Sequence, residues 1–124
     1  MNTEKKIARL AKATNNHMLL MVGALGNDVN VFAEMVMHRS MTWCKQMGLD
    51  YTQIIKPNRN RCYVQIRSVM MYTLRNDCNM TSTEIARVMK RNHATVLYHC
   101  KEIEYQLTAY EDTRRLYRHL KHGL

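Results

Sequence analysis

Apolar positions along this chain recur at helical spacing, and the clearest run lies between Met80 and Leu107. Ile85, Ala86, Val88 and Met89 form one apolar stripe. Thr81 or Ser82 stands before it as N-cap, with Glu84 placed to close a capping box. Lys90, Arg91 and Asn92 interrupt the stripe, and Asn92 is the candidate N-cap of a second helix. Val96, Cys100, Ile103 and Leu107 then recur at intervals of four, three and four, which puts them on one buried helix face. The leading turn and opposite face of that second helix hold His93, Ala94, Thr95, Tyr98 and Lys101. A short helix, a basic turn and a second helix with a polar first turn predict a helix-turn-helix, the device that lays a helix in the DNA major groove.

The same periodicity predicts an all-α fold. Thr3 caps a helix from Glu4 to about Thr14, with Ile7, Leu10 and Ala11 on one face. Met18 to Leu25 fits a buried helix or a short strand; a helix is expected, because no partner strand is evident. After Gly26, Asn27 or Asp28 caps a helix reaching about Met47, with Phe32, Met35, Val36, Trp43 and Met47 inward and Gly48 as C′. Residues 49–60 read as a connector punctuated by Pro57. Arg61 to about Asn76 is a long helix with Val64, Met71 and Leu74 inward and Arg67 outward. A last amphipathic helix from about Glu111 to Lys121 buries Leu116, Tyr117 and Leu120. This divides the chain into an N-terminal helical region, 1–55, and a DNA-binding domain, 56–124.

Composition narrows the class. Eleven methionines against one phenylalanine point to an adaptable, methionine-rich core. No apolar run approaches the roughly 18 residues of a membrane span, and Met1–Lys12 is too polar for a signal peptide, so a cytoplasmic protein with no membrane partner is expected. Cys44, Cys62, Cys78 and Cys100 form no C-x-x-C pair and read as free buried thiols. His119 and His122 suit a helical metal pair in spacing but lack a third ligand nearby, so no metal is expected. Glycine occurs only at 23, 26, 48 and 123, which excludes a G-x-x-x-x-G-K-[ST] nucleotide loop; with no Ser/His/Asp or paired-carboxylate arrangement, neither enzyme nor cofactor is expected.

Charge is distributed unevenly within a net of +9. Residues 1–55 hold six Lys/Arg and four Asp/Glu, residues 56–101 nine against two, and residues 102–124 four of each. Seven of the nine surplus positive charges therefore fall on the bihelical segment, as a phosphate-binding surface requires.

The stretch IARVMKRNHATVLYHCKEI, Ile85 to Ile103, resembles the signature of the C-terminal DNA-binding domain of the bacterial replication initiator DnaA family. Ile85, Ala86, Met89, Arg91, His93, Thr95, Val96, Leu97 and Ile103 fall in register with it. Upstream, Arg67 and Met70–Arg75 resemble the family's Arg followed by an Ala-Met-Tyr-Leu-Ala-Arg helix, and Glu84-Ile85 its Glu-Ile. The similarity covers about Lys56 to Leu107. Asn92 stands where the family has Asp, Ala94 where it has Thr or Ser, and His99 where it has a small residue. The turn is one residue shorter, without the double glycine. Fold and groove geometry are expected to survive these departures; the surface presented to bases is altered.

Residue by residue, the resemblance implies that Arg91, Asn92, His93 and Thr95 enter the major groove and that Arg67 reaches an adjacent minor groove. The chemistry suits this. Arg can bridge guanine O6 and N7, Asn adenine N6 and N7, His and Thr can make single contacts, and the Ala94 methyl can meet a thymine methyl. A narrow minor groove attracts guanidinium. Lys56, Arg59, Arg61, Lys90 and Lys101 are phosphate candidates, joined by Ser82 and Thr83 at a helix start. The expected function is sequence-specific binding of double-stranded DNA at a replication origin or operator, without an ATPase module and in a compact form that would suit a phage or mobile element. A protein partner or self-association is expected to use residues 1–50. The alternatives are an interaction adaptor whose basic segment holds nucleic acid non-specifically, and RNA binding, for which the aromatic platforms of common modules are missing.

Overall fold

The computed structural model describes residues 30–124; the segments expected to be helical over Glu4–Thr14 and Met18–Leu25 lie outside them. The described residues form five α-helices and no strand: α1 Val31–Gln46, α2 Arg61–Asn76, α3 Ser82–Met89, α4 His93–Ala109 and α5 Glu111–His122, with a 3-10 helix Tyr51–Ile55 between α1 and α2. The all-α expectation holds.

The centre is α2, which packs against each of the other four helices and the 3-10 helix. Its residues 66–71 are buried without a break, so this stretch meets protein on every side. The buried hydroxyls of α2 are answered locally: those of Ser68 and Thr73 donate to the carbonyls of Val64 and Val69, both at 2.7 Å. Around it close Val96, Cys100 and Ile103 of α4, Ile85, Val88 and Met89 of α3, Leu116 and Leu120 of α5, and Met37 of α1. Those of α3, α4 and α5 are the apolar stripes visible in the sequence; Met37 was not among the inward positions expected of α1.

Side-chain caps fix where four of the five helices begin. Asn30, Asn60, Thr81 and Asn92 each accept a backbone N–H of the following turn, and α3 carries the full capping box between Thr81 and Glu84. The start of α1 is therefore Val31, capped by Asn30 rather than by Asn27 or Asp28. The Asn30 amide also donates to the Cys78 carbonyl and ties α1 to the loop before α3. Gly48 ends α1 at φ 71°, as expected of a C′ glycine. At the end of α3 the left-handed position falls to Lys90, φ 54°, a conformation that costs a side-chain-bearing residue about 1–2 kcal/mol.

Several expectations are corrected. Phe32 (68% exposed) and Met47 (59%) face solvent, because the buried stripe of α1 runs through Ala33, Met37, Ser40 and Cys44 and leaves both off it. The stretch 49–60 is no plain connector: its 3-10 helix sends Tyr51 and Ile54 into the core. Residues 31–55 thus share one core with the residues after Lys56. Of the four thiols, all free, Cys62 is exposed. Arg67 points inward, where backbone carbonyls take up its guanidinium. No helix among the described residues is long and apolar enough to cross a membrane.

Replacing Thr81 by Ala removes the cap oxygen that holds the Glu84 N–H at 3.1 Å. Urea unfolding of Thr81→Ala is expected to show a loss of about 1 kcal/mol; an unchanged midpoint would mean that the capping box does not set the α3 start.

Candidate nucleic-acid interface

The two helices of the bihelical motif meet at their amino ends. Asn92 Oδ1 accepts the Thr95 N–H at 2.7 Å, which squares off the first turn of α4. His93 and Ala94 stand exposed on that turn, and Thr95 is half-buried beside them. His93 Nε2 lies 2.8 Å from Ser82 Oγ, so the histidine of the α4 start is tied to the first residue of α3. Thr83 is exposed next to it. Two helix starts thus lie side by side with their unpaired N–H groups and positive dipole ends, an arrangement that favours anions.

The third side of this surface is the loop from Lys56 to Asn60, and two arginines hold it in place. Arg67 is 5% exposed. Its Nε donates to the Ile54 carbonyl at 2.6 Å, and its Nη2 reaches the carbonyls of Gln53, Lys56 and Asn58 at 3.2, 3.0 and 3.2 Å. Arg91 approaches the same backbone from the α3–α4 turn: Nη2 donates to Lys56 O at 2.6 Å, and Nη1 to Ile55 O at 3.2 Å and to the nearby Met89 and Lys90 carbonyls. A helix terminus leaves its last carbonyls without partners and carries a partial negative charge. Here the end of the 3-10 helix supplies the acceptors, and two guanidinium forks take them up. Burial lowers the Arg67 pKa to about 10, with the Arg91 charge adding to the effect; burial also lowers that of Arg91. Both groups stay charged at neutral pH.

Lys56, Arg59, Arg61, Lys90 and Lys101 are all exposed. A hollow of about 550 Å³ opens where the loop faces α4; Arg59, Arg67, Lys90, Arg91, Thr95 and His99 are among its walls, and no acidic residue lines it.

Of the residues named from sequence, Arg59, Arg67, Lys90, Arg91, Asn92 and Thr95 line one hollow, with Ser82 and His93 joined at its edge, and their parts are redistributed. His93, Ala94 and Thr95 present the helix start; Asn92 spends its oxygen on the cap; Ser82 engages His93. Arg67 is not an outward side chain. Val64, Arg67, Met71 and Leu74 follow at intervals of three, four and three, so Arg67 lies on the buried stripe itself. That spacing was the available signal. Nothing local marked Arg91 as its companion, since the loop carbonyls it meets lie 35 and 36 residues away. The hydrogen bond between Ser68 Oγ and His99 Nδ1, 2.9 Å, was likewise invisible in the sequence.

Comparison with known proteins points to the same bihelical motif. A family model described as the bacterial dnaA protein helix-turn-helix matches residues 41–103. The chain is 34% identical over 65 residues to the chromosomal replication initiator protein DnaA of Bacteroides thetaiotaomicron, covering 52% of this chain and 14% of that protein. It is 32% identical over 82 residues to the DnaA of Thermomicrobium roseum, covering 65% of this chain and 17% of the relative. The DnaA of Mycoplasma genitalium is 30% identical over 60 residues, 48% of this chain and 14% of the relative. The chain thus matches about a sixth or less of the length of these relatives.

Arg67→Lys keeps the charge and removes the planar fork. With charge-assisted bonds to buried carbonyls lost, unfolding in urea is expected to show a cost of about 1.5–3 kcal/mol. A cost near zero would show that the guanidinium does not hold the loop.

Proposed function

The chain belongs to the bacterial DnaA helix-turn-helix family, and from that premise we propose that it binds double-stranded DNA sequence-specifically, with the amino end of α4 in the major groove. The observation that carries this reading is the exposed, capped start of α4, beside a hollow lined by cations and by no carboxylate. Base edges are met by His93, by Thr95 and by the Ala94 methyl, with the Asn92 amide nitrogen still able to donate. Lys56, Arg61, Lys90, Lys101 and Thr83 meet phosphates and set the register.

Arg67 and Arg91 serve by holding the loop rather than by reading DNA themselves. Exposed Arg59, carried on that loop, is then the guanidinium free to enter an adjacent minor groove. Since the relatives are replication initiators, the duplex recognised is proposed to lie at a replication origin, where this chain acts as a regulator or competitor of initiation.

Selection of bound duplexes from a random pool tests the reading. It predicts one enriched motif, bound about a thousandfold more tightly than random duplex at physiological salt. A flat pool with a steep salt slope would contradict it. On the selected site, His93→Ala is expected to cost about 1–3 kcal/mol while leaving random duplex nearly unaffected. Lys56→Ala should weaken both alike and reduce the salt slope by about one. Uniform loss for His93→Ala would remove base readout there.

A further inference from the structure

The hollow between the 56–60 loop and α4 holds one group to which duplex binding has assigned no part, His99. It stands one turn beyond Thr95, half-buried, on the wall that separates this hollow from a second groove of about 360 Å³ between α2, α4 and α5. Its tautomer is set by its neighbours. The Ser68 hydroxyl hydrogen is committed to the Val64 carbonyl at 2.7 Å, so Ser68 Oγ can only accept, and His99 Nδ1 must be the donor across 2.9 Å. In the neutral ring Nε2 then carries a lone pair, with no protein partner among the described residues.

The charged groups around His99 are unbalanced. From α2 come Arg67 and, on the groove side, Arg61; from the loop, Arg59; from the α3–α4 turn, Lys90 and Arg91. The acids, Glu102 of its own helix and Asp112 of α5, lie on the groove side, with the Tyr98 hydroxyl bonded to Glu102 at 3.1 Å. Burial lowers the His99 pKa below its ordinary value, and Arg67 and Arg91 lower it further against a small opposing pull from Glu102. Arg67 also keeps one nitrogen, Nη1, outside its carbonyl cage. The charged groups lining the hollow are all donors, so its complement is an anionic acceptor.

We infer that this hollow receives a backbone phosphate of the duplex, and that His99 takes up a proton as the phosphate enters and donates Nε2–H to it. The lone pair of neutral Nε2 repels a phosphate oxygen. A proton taken from solvent turns that nitrogen into a donor, and the arriving negative charge offsets the two arginines that otherwise disfavour it. DNA binding by this chain therefore strengthens as pH falls through the range in which the bound histidine titrates. The inference rests on the duplex-binding reading and adds to it a phosphate site and a proton.

The test uses the whole chain and the selected duplex. Affinity is measured from about pH 8 to about pH 5.5 at fixed ionic strength, and the His99 ring resonances are followed by NMR with and without duplex. The His99 pKa is expected to rise on binding, and affinity to increase as pH falls by up to about tenfold per pH unit, the limit for one linked proton. His99→Gln should still bind and lose this slope; His93→Gln should bind more weakly and keep it. A His99 pKa that does not rise in the complex overturns the inference without recourse to any variant. So does a slope that His99→Gln leaves intact, with duplex binding itself unharmed. A full shift produced by inorganic phosphate alone overturns the assignment to the DNA backbone. Absence of duplex binding at every pH removes the functional reading and this one with it.

Discussion

Two guanidinium groups closing on one short run of carbonyls is the constraint that the proposed DNA-facing surface depends on. Arg67 comes up from the central helix and Arg91 across from the turn of the bihelical motif, and both reach the Lys56 carbonyl. The acceptors are carbonyls at and just beyond the end of a 3-10 helix, where a helix leaves backbone groups in need of partners. Arginine suits this task because its planar fork donates several bonds from one rigid group and is only weakly hydrated. The arrangement joins the loop and the helix α2 that follows it to the start of α4, some 35 residues further on. It also leaves its charge uncancelled, because carbonyls supply the partners and no carboxylate lines the adjoining hollow. One set of bonds shapes the surface and keeps it positive.

Periodicity made most of the fold legible. The stripes of α3 and α4, the span of α2, the inward leucines of α5, and the caps at Thr81 and Asn92 could all be read from residue spacing and cap chemistry, because these are local properties. What could not be read was tertiary. A charged side chain was assigned to solvent by convention, although Arg67 sits on the same stripe as Val64, Met71 and Leu74. A stretch with Pro57 and several asparagines read as a connector, although Tyr51 and Ile54 within it are core residues. Phe32 and Met47 were counted inward for being large and apolar, a rule that holds only in one direction. In the candidate site, the exposed positions at the start of α4 were legible and the two clamping roles were not, because the acceptors are backbone atoms that leave no mark on the sequence.

The interface is therefore better described as a surface held ready than as a list of reading residues. Asn92 is occupied with the cap, Ser82 with His93, and Arg91 with the loop, so each orders a neighbour before any DNA arrives. Groups fixed in advance lose less conformational freedom on binding. The family membership, with the charge bias of residues 56–101, gives that readiness a direction: toward a polyanionic duplex. Lys90 in a left-handed position, in a turn without a glycine to take it, fits the same logic, with backbone strain accepted where a cation faces the site.

The most direct measurement is a map of backbone amide shifts as the selected duplex is titrated into isotope-labelled protein. The account predicts perturbations concentrated on residues 56–61, 82–83 and 90–99, with the outer faces of α1 and α5 unmoved. Perturbations gathered instead around Phe32, Arg39 and Lys121, with the start of α4 silent, would contradict it.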